Sequence, residues 1–333
     1  MIEPDDNTPC LPEVTVITPV YNGERYISEA VESVLNQTHK LFEYIIVDDG
    51  STDGTREILE SFAARDDRIV LAPQSNQGQA ASLNQALEMA SNDWVAILDH
   101  DDHSEPTRLE RQVRALVANP EIRVLGTYVY GINAHGKRIG LFEWGPTTVE
   151  AFEALKDNED LVIPAHPSVM LHRPTILALG GYDGRFGAAA DAELWSRVSD
   201  QNLILALPEP LTSYRIHNNS MSFTSFFEQR RMTRLIWARQ YARRRSLHQM
   251  EVAEFLESER GLRGLRCLRD DWRDYLIGLC GTAKSEGRSV RRFALLAAAL
   301  ALDPRGVVPR VGSRLRPIHR RAIGAKKRLP KSR

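Results

Sequence analysis

Five aspartates in the first third of the chain stand where α/β proteins do chemistry. Asp48 and Asp49 follow directly on the apolar run 44–47, and Asp99, Asp101 and Asp102 follow directly on Trp94–Leu98. If both runs are parallel strands, both acidic groups land on one sheet edge, outside the carboxyl ends where such sheets bind ligands. Carboxylates converging there repel one another unless a cation or a donor compensates. A hard divalent ion, Mg²⁺ or Mn²⁺, takes oxygen ligands and keeps sites for water and substrate phosphates. The competing reading is turn formation and helix capping. It suits Asp53 in Asp48-Asp-Gly-Ser-Thr-Asp-Gly54, and it explains Asp99-His-Asp-Asp102 poorly. No GxGxxG follows a strand and no GxxxxGK[ST] occurs. A glycine cradle for phosphates is therefore disfavoured, and metal is the expected holder.

The elements that must position these residues are legible from periodicity. Val14–Thr18 is β-branched and stops at Pro19, so it reads as a buried strand. Tyr26, Ile27, Ala30, Val31, Val34 and Leu35 recur at helical spacing, which predicts a helix over 24–37. Further strands are expected at 44–47, 69–71 and 94–98, with helices around Ile58–Phe62, Leu83–Ala90 and 107–118. Strands alternating with helices predict crossover units and a mostly parallel sheet covered on both faces. Later the pattern gives strands within 122–145, 168–172 and 203–214, and helices at 147–156 and 191–200. Beyond Met221 it is helical, at 225–245, 250–282 and 289–302.

Composition sets the outer limits. The 333 residues are 42% apolar and 26% charged, which excludes disordered, collagen-like and coiled-coil classes. Cys10, Cys267 and Cys280 are too few and too scattered for a disulfide framework, so a cytoplasmic location is expected. No run reaches the ~18 apolar residues of a membrane span, and the acidic start does not read as a secretory signal. The net charge of −1 hides a split: residues 1–223 carry 16 Lys+Arg against 34 Asp+Glu, and residues 224–333 carry 27 against 10. Arg230, Arg231, Arg234, Arg239, Arg243, Arg244 and Arg245 mark a basic amphipathic helix, the type that meets anionic membrane surfaces. The segment 305–333 continues the theme without an acid. It carries no nucleic-acid fold signature, so membrane contact ranks above nucleic acid.

Six blocks in collinear order over roughly residues 12–222 carry a resemblance. They are Pro19-Val-Tyr-Asn22; Asp48-Asp-Gly-Ser-Thr-Asp-Gly-Thr55; Asn76-Gln-Gly78 with Leu83-Asn-Gln-Ala86; Leu98-Asp-His-Asp-Asp102 with Pro106; His166-Pro-Ser168 leading through Gly180-Gly-Tyr-Asp183 to Asp191-Ala-Glu-Leu-Trp-Ser-Arg197; and Tyr214-Arg-Ile-His217 with Ser220. The pattern resembles the family 2 glycosyltransferases. The resemblance implies a GT-A fold and inverting transfer of a sugar from a nucleotide diphosphate to an acceptor hydroxyl. It implies a nucleotide-binding half at 12–105, an acceptor half at 106–222, and additions at 1–11, 223–304 and 305–333.

Carried over by position, Pro19, Tyr21 and Asn22 wrap the nucleoside, and Tyr21 stacks on the base. Asp49, preceded by Asp48, reads the base, with Asn76 and Gly78 nearby. Asp99 lies near the ribose and Asp101 on the metal, with Asp102 beside them. Asp191 is the general base, and Arg215, His217 and Ser220 close over the phosphates, His217 as a further candidate ligand. UDP is the expected nucleotide. A saccharide or lipid-linked acceptor in cell-surface polysaccharide or glycolipid assembly is the expected setting.

The departures bear on the base. Ala190-Asp191 stands where the family has Glu-Asp, so Glu193 is a fallback base. Ser82-Leu83-Asn84 lacks the arginine of many relatives, and Arg215 or His217 would have to replace it. His100 and His103 flank the acids as rim residues or ligands, and His166 is read as an acceptor-pocket or a structural residue. A sugar-phosphate nucleotidyltransferase and a catalytically silent sugar-nucleotide-binding scaffold are the alternatives. The first would need a glycine-rich basic loop that Pro19-Val-Tyr-Asn22-Gly23 is not.

Overall fold

A computed structural model describes residues 11–217, 219–258, 262–285 and 294–299. Residues 1–10 of the tail expected at 1–11, the tail at 305–333 and most of the helix expected at 289–302 lie outside the described residues.

The first half is four βα units. Strands β1 (Val14–Val20), β2 (Phe42–Asp48), β3 (Ile69–Pro73) and β4 (Trp94–Ile97) alternate with helices α1 (Ile27–Leu35), α2 (Thr55–Ala63) and α3 (Gln79–Met89), and α4 (Arg108–Ala118) follows. The four strands pair in parallel in the order β3-β2-β1-β4. Successive side chains of a strand point to opposite faces, and here both faces are apolar. Ile17, Ile45, Val47, Val95 and Ile97 join Leu83, Ala86 and Leu87 of α3 in one core. Val14, Val16, Tyr44, Ile46 and Ala96 join residues of α1, α2 and α4 in the other. The register pairs Val20 with Asp48 and Ile17 with Ile97, so the two acidic strand ends share one edge.

The second half extends the sheet. It comprises β5 (His103–Ser104), β6 (Ile122–Asn133), β7 (Arg138–Phe142), β8 (Met170–His172) and β9 (Leu203–Ile216), with α5 (Val149–Asp157), α6 (Arg173–Ala178) and α7 (Ala190–Gln201). The full order is β3-β2-β1-β4-β8-β6-β9-β5, with β7 on β6. β8 is antiparallel to both β4 and β6, which makes the sheet mixed beyond its parallel half. β9 is one strand of 14 residues, with its register against β6 shifting near Pro208 and Pro210. Prolines cannot complete a ladder, so the sequence reads there as interrupted strands.

The C-terminal region is helical: α8 (Met221–Thr224), α9 (Phe226–Arg244), α10 (Val252–Ser258) and α11 (Leu262–Ser285), with 294–299 also helical. Of the helix expected at 250–282, 252–258 and 262–282 are helical, and 259–261 lie outside the described residues. The arginines of α9 do not form a solvated basic face. Arg230 and Arg234 pair with Asp271, Arg243 and Arg244 pair with Asp200, and Arg245 pairs with Glu159. Periodicity counted the charges on α9 without showing the acids brought to it by α7, α11 and the turn after α5. No helix among the described residues is long and apolar enough to cross a membrane.

Candidate active site

The carboxyl ends of β1, β2 and β4 open onto a cleft of about 660 Å³, closed from the far side by the start of α7 and the segment after β9. Pro19, Tyr21, Asn22, Asp49, Asn76, Gly78, Asp99, Asp101, His166, Asp191, Arg215, His217 and Ser220 all line it. Asp48, Asp102 and Glu193 do not.

The rim at β1 is built by stitching one turn to another. Asn22 has φ +53°, a left-handed conformation that asparagine tolerates better than most residues. Its side-chain oxygen accepts from Thr52 N at 2.8 Å, and its own N–H donates to Ser51 Oγ at 3.0 Å. Asp49 is 4% exposed, and its oxygens accept from Gln74 Nε2 (2.6 Å), Gln77 N (2.8 Å) and Gly78 N (2.8 Å). It organises the loop that carries Asn76 and Gly78 before it can read any base. Asp48 sits behind, accepting from Ser51 N, with Arg56 3.7 Å away. Its part is that of a turn former.

The three aspartates after β4 divide. Asp99 Oδ1 accepts from Gln79 Nε2 at 3.2 Å and lies 3.8 Å from His166 Nδ1. His217 Nε2 donates to Asp101 Oδ2 at 2.9 Å. Burial opposes ionisation of Asp101, yet the His217 bond and the charges of His100 and His217 hold its carboxyl below the ordinary range. Asp102 turns inward, 1% exposed, and accepts from Arg215 N at 2.7 Å. Burial, with Asp101 and Asp99 as neighbours, pushes its carboxyl up. Asp102 therefore anchors β9 beneath the cleft.

Arg215 is not a free cation. It is 2% exposed and donates to Asp101 O (2.7 Å), Asn133 O (3.4 Å) and Glu29 (2.7 Å), with its guanidinium over the Tyr26 ring at 4.5 Å. Its donors are spent on the fold. The other lysine or arginine among the described lining residues is Arg25, which is exposed and which sequence reasoning missed. Arg25 falls outside the apolar positions of the helix expected over 24–37 and precedes α1 itself, so spacing gave no signal for it. His100 lines the cleft and His103 does not.

The far wall centres on Asp191. It stands in the first turn of α7, and its Oδ1 accepts from Ala192 N at 2.7 Å. Glu193 is 5% exposed, and Arg197 grips it through Nε and Nη2 at 2.7–2.9 Å, so it cannot serve as a fallback base. Trp195 is fully buried in the core. Between the two walls His166 Nε2 meets the Tyr182 hydroxyl at 3.1 Å. Burial lowers the imidazole's basicity, but the nearby Asp99 carboxylate and the charge of Asp191 outweigh it, and the net shift is upward. Tyr182 was legible only as part of the Gly180-Gly-Tyr block.

Among the described residues no cluster of three His, Cys, Asp or Glu side chains is set to cage a metal. The Asp101–His217 pair still fits a hard dication by its donor chemistry: it offers carboxylate oxygen and imidazole nitrogen beside a cleft. Such ions are commonly held by one or two carboxylates plus substrate phosphates and water.

A half-parallel sheet with acids at its strand tips and a further carboxylate across one cleft defines a transferase of the GT-A class. The family model described as glycosyl transferase family 2 matches residues 15–175. The putative glycosyltransferase EpsE of Bacillus subtilis is 35% identical over 217 residues, 64% of this chain and 75% of that protein. This chain belongs to glycosyltransferase family 2. Two solved structures share the fold. Staphylococcus aureus TarS, in complex with UDP-GlcNAc, has TM-score 0.55 and 19% identity, covering 88% of each chain. The mannosyltransferase PcManGT of Pyrobaculum calidifontis, with GDP-Man and Mn²⁺, has TM-score 0.51 and 19% identity, covering 97% of this chain and 82% of that one.

Proposed function

We propose that this glycosyltransferase inverts the anomeric centre while moving a sugar from a nucleoside diphosphate to an acceptor hydroxyl, with Asp191 as general base. The observation that carries the reading is the shared cleft: acids from two parallel strand tips on one side, Asp191 on the other. The donor lies with its nucleoside against Pro19, Tyr21 and Asn22 and its diphosphate toward Asp101 and His217. A divalent ion held by Asp101 and His217, Mn²⁺ or Mg²⁺, would stabilise the charge that develops on the leaving diphosphate. Asp191 takes the proton of the acceptor hydroxyl as its oxygen bonds to the anomeric carbon. The bond to the diphosphate oxygen breaks at the same time, and the nucleoside diphosphate leaves with the electron pair. Positioned proton transfer is worth about 10²–10⁴-fold, and holding both substrates in line removes up to ~7–11 kcal/mol of entropic cost.

UDP is the nucleotide we favour; the TarS structure contains UDP-GlcNAc and PcManGT contains GDP-Man, so GDP is the comparison. The acceptor is a saccharide or a lipid-linked saccharide of the cell surface, as the family resemblance suggests. Thermal shift with UDP-GlcNAc and GDP-mannose, each with Mn²⁺ and with EDTA, tests the donor side. Ligand binding stabilises the fold in proportion to ln(1 + [L]/Kd). One donor should raise the midpoint by several degrees with Mn²⁺ and markedly less with EDTA. Stabilisation indifferent to EDTA and to Asp101→Ala would reject the cation's role.

A further inference from the structure

Helix α9 lies outside the stretch matched by the family model, yet it touches the part of the cleft that carries the base. Asp191 is fed by the 3₁₀ turn Gly184–Ala189, which breaks its helical path at Gly187 (φ 51°, ψ −127°). That conformation is one most side chains avoid, and a Cβ there would also meet Glu228 Oε1 of α9 at 2.8 Å. One residue along α9, the Gln229 side-chain amide donates to the Ala188 carbonyl at 2.8 Å. Gly187, Ala188 and Gln229 all line the cleft. Beneath this contact Phe186, Ala189 and Ala192 pack with Met232, Leu235 and Ile236 in one buried cluster. At the other end of α7, Arg243 donates to Ser196 O at 2.9 Å and pairs with Asp200, as does Arg244. α9 therefore holds the Asp191 helix at both ends, and near the base the hold combines this buried packing with one side-chain hydrogen bond at the cleft wall, from Gln229 to Ala188.

We propose that Gln229 is a positioning residue for the transfer: its amide fixes the Ala188 carbonyl, and through it the Gly187–Ala190 backbone that sets where the Asp191 carboxylate stands. The inference rests on the reading of Asp191 as base. It gives the C-terminal region a place in the reaction that its arginine content does not suggest. A backbone carbonyl released at a cleft wall turns toward water; Phe186 and Ala189 hold the turn from beneath and Asp183 caps its start, but Gln229 is the side chain hydrogen-bonded to the Ala188 carbonyl at the cleft face. Displacements of about 1 Å in a reacting group can cost on the order of 10²-fold.

The test uses the full chain. Gln229→Met keeps length and apolar packing and loses the donor; Gln229→Lys keeps a donor; Arg245→Ala, just past the C-terminal end of α9, controls for loss of helix stability. Nucleoside diphosphate release is followed with whichever of UDP-GlcNAc and GDP-mannose stabilises the fold. Amide hydrogen exchange is followed over residues 184–193. Gln229→Met should lower kcat 10–100-fold with donor KM within twofold, and should speed exchange at 187–192. Gln229→Lys should recover most of kcat, and Arg245→Ala should change neither. A Gln229→Met enzyme within twofold of wild-type kcat, or with unchanged exchange, overturns the proposal. So does a variant that loses donor binding and turnover together. Asp191→Asn separates the two claims. If it keeps full turnover, the base assignment fails, whereas the exchange result still decides whether Gln229 holds the turn.

Discussion

At the scale of single residues, the cleft separates groups that face substrate from groups that hold the wall. Asp49 and Arg215 line it, yet their polar atoms are engaged by the fold. Among the described lining residues, Arg25 is the exposed lysine or arginine at the rim, its guanidinium over the Tyr26 ring at 4.9 Å, and it is placed where a diphosphate could meet it. A hydrogen bond to a charged group contributes about 1.5–3 kcal/mol, and each ~1.4 kcal/mol is tenfold in affinity. Arg25→Ala should therefore weaken UDP binding about tenfold in a calorimetric titration and leave uridine binding within twofold. Equal loss for both would place Arg25 at the nucleoside instead. The sequence showed which aspartates gather, because turn formation alone does not require several acids in a row after an apolar strand. It did not show that Asp102 turns inward or that Glu193 is gripped by Arg197. Those depend on which face of a turn or helix meets a partner distant in sequence.

At the scale of elements, the parallel half was legible because β-branched strands and amphipathic helices alternate with short turns. The short pieces were not. β5 has two residues, and α6 opens with Arg173-Pro174, where proline is compatible with a first turn and reads as a breaker. The 3₁₀ turn before Asp191 is capped by Asp183, whose side chain accepts from Arg185 N. The Arg185 hydrogen bond, working against burial, holds the Asp183 carboxyl below its ordinary value. A depressed folded value means stability is present above the unfolded pKa of about 3.9 and is lost as pH falls through the folded value. Asp183→Asn should flatten the acid limb of the midpoint–pH curve below about pH 4 and change nothing at pH 7 beyond a small offset. An unaltered acid limb would show that the cap carries no proton linkage.

At the scale of the whole molecule, the charge split between residues 1–223 and 224–333 is met in part within the chain. Much of the basic C-terminal helix α9 is consumed by acids of its own chain, including Asp200 of α7 and Asp271 of α11. Removing one member of a buried ion pair costs roughly 3–5 kcal/mol, because the partner is left uncompensated. Asp271, 3% exposed between Arg230 and Arg234, is such a member. Asp271→Ala should lower unfolding free energy by about 3 kcal/mol in a urea titration. A loss below about 0.5 kcal/mol, the range of an ordinary surface substitution, would mean α11 docks independently of these pairs. Ending the chain after Thr224 would bare Phe186, Ala189 and Ala192 and remove the packing under the base. Such a truncation is therefore no clean test of membrane contact. Vesicle sedimentation after deleting residues 305–333 asks that question while leaving α9 in place.

The most direct measurement is transfer and nucleotide binding by Asp191→Asn side by side. The substitution keeps size and polarity while removing the proton acceptor at the α7 carboxylate that lines the cleft. The expected result is kcat lower by at least about 10²-fold with UDP affinity within twofold of wild type. Turnover at the wild-type rate would contradict a base at this position, and with it the single inverting displacement across this cleft.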